Sequence, residues 1–352
     1  MLTYAPKDLE ECSTALATNH RIAFVGGGTQ AELGNPPDAI DAEVRTDRLK
    51  RIVDYSPSDM VLTAEAGVTL AEINATAREH RQMLALDAPQ GERATIGRLV
   101  ATGAYGPRRA KYGAIRDLII GVTLVRADGV IARGGGKVVK NVAGFDLPKV
   151  ACGSLGTLGM IAEATFRLHP LPEKSATAVF RGLTADKVFS TTKSLRDKQL
   201  EPASVVALRT TAGTYDLGVR FEGFSKGVDQ QMQRLSKSDE PFDHDAARSG
   251  GPTRIRIAAL PSRFAEVDRI IAPLQPTAFA WYATLGIGFL ECGGSAAALQ
   301  TARNELAFII ERGNQGLESW GPVGSSLTIM QNLKQRFDPE HRLNPGRFAG
   351  DL

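Results

Sequence analysis

The sequence predicts an α+β protein: a ligand-cradling N-terminal part followed by a smaller domain built from a repeat. Three observations carry this. Two glycine-rich loops, Val25-Gly26-Gly27-Gly28-Thr29-Gln30 and Gly153-Ser154-Leu155-Gly156-Thr157-Leu158-Gly159, stand far apart, one after an apolar run and the other before one. Residues 177–312 read as β-α-β-β-α written twice. At 352 residues the chain is too long for one small core and suits two or three subdomains.

The elements follow in order. Residues 7–19 carry Leu9, Ala15 and Leu16 on a polar background and predict a helix. Residues 21–25 form a short strand that delivers the first loop. Strands are predicted over 52–55 and 60–66; Gly67 breaks the second, and Thr69 caps a helix over 70–80. This closes a small α+β subdomain over residues 1–85. A second subdomain, 86–172, begins with a glycine-flanked helix over 94–104. A strand over 118–126 turns at Ala127-Asp128-Gly129 into a hairpin partner over 130–133. Residues 147–152 enter the second loop, and a strand over 160–168 leaves it. His169-Pro170-Leu171-Pro172 marks the boundary, because proline cannot continue a ladder.

In the next domain, 173–320, the first repeat has strands over 177–180, 204–208 and 215–221 and helices over 185–198 and 225–236. The second has strands over 254–259, 278–284 and 286–292 and helices over 261–272 and 295–312. Two such units make one continuous antiparallel sheet with helices on one face. Residues 238–252 are the polar link between them. The last segment, 321–352, carries a helix over 326–336 and a tail over 338–348.

Composition excludes several classes. Apolar residues make up 43% and charged residues 23%, ordinary for a globular protein. A net charge of +3 with no basic run does not call for nucleic acid. No apolar run is long enough to span a membrane, and the first residues lack the charged and apolar parts of a signal peptide. Three scattered cysteines suit a reduced cytosol and cannot ligate an iron–sulfur cluster. No histidine pair has metal-ligand spacing.

The glycine loops suggest the chemistry. Backbone without Cβ lets a ligand approach closely, and free N–H groups and hydroxyls offer donors to an anion such as a diphosphate. Neither loop matches the Rossmann or Walker pattern, and each by itself also reads as a tight turn. The order of motifs goes further: "FVGGGTQ", "MVLTAEAGVTLAEIN", "ATGAYGPRR", "KNVAGFDLPK", "GSLGTLG" and "FDPEHRLNPGRF". This series resembles the vanillyl-alcohol-oxidase type of FAD-binding flavoprotein. Within that type it is similar to the FAD-binding subunits of bacterial glycolate oxidases. The likeness is dense over residues 20–170, thin over 175–320, and returns at 337–347.

The resemblance implies a PCMH-type FAD-binding domain of two subdomains, a ferredoxin-like-repeat cap domain, and a C-terminal tail that returns to the flavin. It implies that Gly26, Gly27, Gly28, Thr29 and Gln30 wrap the diphosphate. Pro89, Thr95, Ile96 and Gly97, continued by Ala101, Thr102 and Gly103, meet the ribityl chain and flavin. Gly153, Ser154, Gly156, Thr157, Gly159 and Ile161 form the second clamp. Asn344 is either a tail residue near the flavin ring or a turn former before Pro345. The family usually has a second glycine after Gly97, where this chain has Arg98. The first loop holds no His or Cys, and Cys152 reads as a small buried spacer, so the FAD is expected to be non-covalent.

Flavin-dependent oxidation of a 2-hydroxy acid needs a cation for the carboxylate and a base for the hydroxyl proton. Arg108 and Arg109 are candidates for the cation, or else they bind flavin phosphate or a partner. His341 is a candidate base, with a solvated tail position as the alternative, and Asn141 faces the flavin edge or starts a helix. No clear base motif is present. The expected protein is therefore the FAD-binding subunit of a glycolate oxidase complex, cytoplasmic, with any membrane association coming through its partners. Those partners are a catalytic flavoprotein subunit and an iron–sulfur subunit. The alternatives are a self-sufficient FAD-dependent 2-hydroxy-acid oxidoreductase and a scaffold subunit with a degenerate flavin site.

Overall fold

The computed structural model describes residues 1–27, 33–88, 93–136, 146–244 and 251–352. They form two compact units: Met1–Gly106 with Gly113–Leu171 and Pro322–Leu352, and Pro107–Tyr112 with Pro172–Gly321.

The first unit opens with β1 (Leu2–Tyr4), α1 (Leu9–Leu16), β2 (Ile22–Val25) and β3 (Ala42–Arg45), whose strands form a parallel sheet ordered β1-β3-β2. Asp8 starts α1 by accepting the Glu11 N–H at 2.9 Å, so this helix is shorter than the expected 7–19. Next come β4 (Ile52–Ser56), β5 (Val61–Glu65), α2 (Leu70–Arg78), β6 (Gln82–Met83) and α3 (Ile96–Thr102). Thr69 caps α2 as expected, in a reciprocal box with Glu72. The chain leaves this unit for α4 (Arg109–Tyr112). It returns through α5 (Ile115–Leu118), β7 (Ile119–Val125), β8 (Ile131–Gly135), α6 (Leu147–Ala151), β9 (Met160–Arg167) and β10 (His169–Pro170).

An antiparallel five-stranded sheet, β4-β5-β9-β7-β8, is the centre of this unit. The β7–β9 pairing shifts register between Thr123↔Glu163 and Leu124↔Ile161, so residues of one parity change face along β9. Ala164 and Phe166 join Ile73 of α2 and Leu99 and Val100 of α3 in one core. Met160 and Ala162 join Cys12 and Leu16 of α1 in another.

The second unit continues with β11 (Lys174–Leu183), α7 (Ala185–Asp197), β12 (Ser204–Arg209), β13 (Tyr215–Gly223) and α8 (Ser225–Arg234). It then repeats as β14 (Thr253–Ala258), α9 (Phe264–Ile271), β15 (Pro276–Tyr282), β16 (Ile287–Cys292), α10 (Ala296–Glu305) and β17 (Phe308–Arg312). The seven strands run β11-β13-β12-β15-β16-β14-β17, all antiparallel. The second half is a complete ferredoxin-like unit, while the first half lacks a fourth strand among the described residues. One parity of strand residues packs under α7, α8, α9 and α10, with Phe264 stacked on Trp281 at 4.9 Å.

One expectation is corrected here. Residues 295–312 are not one helix: α10 stops at Glu305, and Leu306 is extended. The alternation Phe308-Ile309-Ile310 then makes β17, which pairs with β14 and buries Phe308 and Ile310. Residues 147–152 enter the second loop as expected, and they do so as a helix. Asp146 caps the short helix α6, with Pro148 in its first turn. The short strands β1, β3, β6 and β10 carry too few residues to announce themselves by periodicity. The last helix, α11 (Leu327–Phe337), belongs to the first unit.

Candidate functional site

In the first unit, three pieces distant in sequence meet around a cavity of about 410 Å³. The end of β2 and Gly26 supply one wall, α3 supplies another, and the second glycine loop with the C-terminal tail supplies the third. Of the residues expected to bind the cofactor, Gly26, Gly97, Ala101, Thr102, Gly156, Ile161 and Asn344 line this cavity. Gly28, Thr29, Gln30, Pro89 and Asn141 lie outside the described residues.

Crowding, not backbone sign, demands glycine in the first loop: neither Gly26 nor Gly27 adopts a positive φ. A Cβ on Gly26 would stand 2.9 Å from Thr95 Oγ1, and one on Gly27 would stand 3.2 Å from the Arg93 carbonyl oxygen. Thr95 precedes α3, yet its hydroxyl makes no cap. Thr95 Oγ1 is buried without a hydrogen-bond partner among the described residues. Such a group is costly unless something accepts from it or donates to it. Gly97 is required by packing, since its Cβ would come within 2.8 Å of Ala66 Cβ, and Ile96 is a core residue.

The second loop is zipped to the end of α3. Gly153 N–H donates to the Val100 carbonyl at 2.9 Å and Leu155 N–H to the Ala101 carbonyl at 2.8 Å. Gly103 ends α3 in the left-handed conformation, φ 60°, and faces Gly153. The hydroxyls of Ser154 and Thr157 donate inside the loop, each at 2.8 Å, to the carbonyls of Ala151 and Ser154. They shape the turn. Gly159 packs against the Val125 carbonyl of β7.

Asn344 satisfies both of its readings. It sits at φ 43° in the tail turn. Its Oδ1 accepts the Phe24 N–H at 3.1 Å, and its Nδ2 donates to the Leu155 carbonyl at 2.5 Å. Its backbone N–H donates to the Ile22 carbonyl, so the tail lies along β2. A Cβ on Gly156, which has φ 74°, would strike Asn344 Nδ2 and Phe24 Cδ2 at 2.9 Å.

The tail is anchored from below. Lys334 Nζ, fully buried, donates to Asp338 Oδ2 at 2.7 Å, to the Thr157 carbonyl at 2.9 Å and to the Leu343 carbonyl at 3.0 Å. Burial pushes its pKa down and Asp338 opposes the shift. Cys152 is half-buried beside the second loop, and burial pushes its thiol up to about 12. It stays protonated near neutrality.

Sequence reasoning did not assign several lining residues: Phe24, Glu43, Thr46, Arg98 and Arg347. Glu43 projects from β3, where the pattern Ala42-Glu43-Val44-Arg45 is a usable signal: Ala42 and Val44 are core and Glu43 is not. Arg347 lies within the tail motif, three residues after Asn344. Its Nη2 donates to the Leu33 carbonyl at 2.5 Å, and burial lowers its pKa.

The remaining candidates lie elsewhere. Arg108 and Arg109 belong to the second unit. Arg108 Nε and Nη2 donate to Glu222 Oε1 at 3.1 and 2.5 Å. Tyr112 Oη donates to Glu222 Oε2 at 3.2 Å, and Lys111 Nζ donates to the Glu222 carbonyl. The Glu222 side chain is fully buried by this arrangement. His341 is exposed on the turn after α11, with φ 52°, and does not line the cavity. Among the described residues no group of His, Cys, Asp or Glu could hold a metal ion, and no helix is long and apolar enough to cross a membrane.

A cavity between Gly26 and the second glycine loop, kept clear of Cβ atoms at Gly26, Gly97 and Gly156, fits a ligand such as FAD. Comparison with known proteins agrees. The FAD binding domain family matches residues 3–135. The glycolate oxidase subunit GlcE of Escherichia coli is 29% identical, over 99% of this chain and 98% of that protein. The glycolate oxidase subunit GlcD of Bacillus subtilis is 30% identical over 57% of this chain but only 44% of its own length. Among solved structures, an alkyldihydroxyacetonephosphate synthase superposes with a TM-score of 0.71 at 16% identity, covering 97% of this chain and 75% of that one, a likeness of fold. The matched FAD binding domain over residues 3–135 and the end-to-end similarity to GlcE agree with the cavity in giving the first unit an FAD site.

Proposed function

We propose that this chain is the FAD-binding subunit of a glycolate-oxidase-type complex that oxidises a 2-hydroxy acid to a 2-oxo acid. The observation that carries the reading is coverage: the chain matches GlcE from end to end and GlcD over less than half of that protein. In this reading a catalytic flavoprotein subunit and an iron–sulfur subunit complete the complex. The bound FAD supplies the electron-accepting flavin. Gly26, the end of α3 and the Ser154–Gly159 loop hold it, and Asn344 fixes the spacing of the first wall from the third.

Two features support non-covalent cofactor and chemistry shared with a partner. The Cys152 thiol is held protonated, which denies it the nucleophilic form. Arg108 is ion-paired with a buried glutamate, and His341 is an exposed turn residue, so neither stands ready as a substrate cation or base. Positioned acid–base help is worth about 10²–10⁴ in rate.

The test uses the purified chain. Its yellow colour should pass to the supernatant on acid precipitation, and anaerobic glycolate or D-lactate should not bleach it on a turnover timescale. Adding the catalytic and iron–sulfur partners should restore oxidation, and all three should co-purify. Rapid bleaching of the isolated chain would overturn the reading in favour of a self-sufficient enzyme. Colour that stays in the precipitate would overturn the non-covalent assignment.

A further inference from the structure

We infer that Glu43 is a specificity-determining residue of the FAD site, whose carboxylate accepts a hydrogen bond from the adenosine half of the cofactor. The inference rests on the FAD-binding assignment and deepens it by naming the half of the dinucleotide that this wall reads.

Glu43 lies in β3, the central strand of its sheet, opposite Thr3 of β1 and Ala23 of β2. Its neighbours Ala42 and Val44 turn into the core, so Glu43 emerges on the other face, where it lines the cavity with Ala23. It is half-buried, and its carboxylate has no hydrogen bond or ion pair among the described residues. It is also the one acid on the described lining. The cations around it are engaged elsewhere. Arg45, on the same face of β3, pairs with Asp47 at 3.3 Å, Arg347 donates to the Leu33 carbonyl, and Arg98 has a partner of its own. A half-buried carboxylate facing a cavity is costly unless a donor reaches it.

Charge decides which part of FAD that donor belongs to. Ala23 stands three residues before Gly26, about 10 Å back along β2, so the carboxylate is set away from the first glycine loop. A diphosphate at that loop is kept at a distance from Glu43 by like charge. A flavin ring gains negative charge when it is reduced, which an adjacent carboxylate opposes. Adenosine stays neutral, and it presents a base amine and ribose hydroxyls, donors that a carboxylate accepts strongly. Carboxylates accept from ribose in the same way in dinucleotide-binding folds of other architecture. Phe24, Leu33, Pro37 and Met160 on the same lining supply apolar surface for the base.

The experiment titrates apo-protein by calorimetry, for wild type, Glu43→Ala and Glu43→Gln. The ligands are FAD, ADP, inorganic diphosphate, riboflavin, dideoxy-ADP, which lacks the ribose hydroxyls, and IDP, which replaces the base amine by a carbonyl. Glu43→Ala should weaken FAD and ADP about ten- to hundredfold, the range for a hydrogen bond to a charged group. Wild type should bind ADP about tenfold or more tightly than one of the two analogues, dideoxy-ADP if the ribose is read and IDP if the amine is. In Glu43→Ala that difference should vanish, the signature of a direct contact. Diphosphate and riboflavin should bind Glu43→Ala no more weakly than wild type. Glu43→Gln should fall between the two proteins, because its amide oxygen accepts without the charge. Circular dichroism of the apo-proteins checks the fold, and Glu43→Gln carries the test if Glu43→Ala does not fold. ADP affinity within twofold of wild type would overturn the inference. So would an equal loss for riboflavin, or a wild type that binds ADP and both analogues alike. Wild-type protein that binds neither FAD nor ADP would instead overturn the FAD assignment itself.

Discussion

At the scale of single residues, the site is defined by where Cβ atoms are missing. A Cβ on Gly26 would press on Thr95 and one on Gly156 on Asn344 and Phe24, each at 2.9 Å, whereas one on Gly27 would meet the Arg93 carbonyl at 3.2 Å, which a small local shift relieves. Gly27 is exposed, so its substitution disturbs the ligand side more than the core. Gly27→Val should leave the melting temperature of the apo-protein nearly unchanged and weaken FAD at least tenfold, about 1.4 kcal/mol. Titration of the apo-protein checks this. Affinity retained within that factor would remove the first loop from the cofactor site. Arg108 shows the opposite case. Its local motif suggests ligand binding, but its guanidinium, with Tyr112 and Lys111, is turned onto Glu222.

At the scale of elements, the end of α11 holds the site together. Asp338 accepts from Lys334 Nζ and from the backbone N–H groups of Arg342 and Leu343, so one buried carboxylate ends the helix and starts the tail. Lys334 in turn reaches the Thr157 carbonyl of the second glycine loop. Removing one partner of a buried pair leaves the other charge uncompensated, at about 3–5 kcal/mol. Lys334→Met should therefore lower the stability of the first unit by that amount in chemical denaturation, and loosen the second loop. A loss below about 1 kcal/mol, the range of an exposed pair, would contradict this account. Arg342 adds to the same anchoring by donating to the carbonyls of Thr18, His20 and Ala127.

At the scale of the whole molecule, stability has a built-in dependence on acid. His244 in the second unit is buried against Phe242, with its Nδ1 3.4 Å from Ser204 Oγ. Burial first, then the charges of Arg220 and Arg108, push its pKa from 6.5 to about 3. The unfolded chain takes up the proton below pH 6.5 while the folded chain does not. The resulting stability is present above pH 6.5 and is lost as pH falls from there toward 3, by about 1.4 kcal/mol per pH unit. Denaturant midpoints at pH 7.5, 6 and 5 should fall steeply for wild type and less steeply for His244→Gln. Parallel profiles would show that His244 titrates normally.

Much of this protein was legible in the sequence because the relevant signals are local. Short runs rich in apolar and β-branched residues mark Val61–Glu65 and Ile119–Val125. Thr69 with Glu72 announces α2, and prolines after His169 announce the boundary. The glycine loops were legible because only glycine leaves their backbone unobstructed. What the tertiary structure alone decided depends on partners far away in the chain. Residues 308–312 became a strand because β14 offered an edge, overriding the helix pattern before them. Asn344 became a bridge because β2 and the second loop meet at the tail. Ser154 and Thr157 turned their hydroxyls inward because the carbonyls of Ala151 and Ser154 stand within hydrogen-bond reach, each at 2.8 Å. Glu43 entered the cavity lining from β3, a strand that the motifs did not assign. Local sequence determines conformation over a few residues, whereas burial and long-range pairing determine which of those residues face one another.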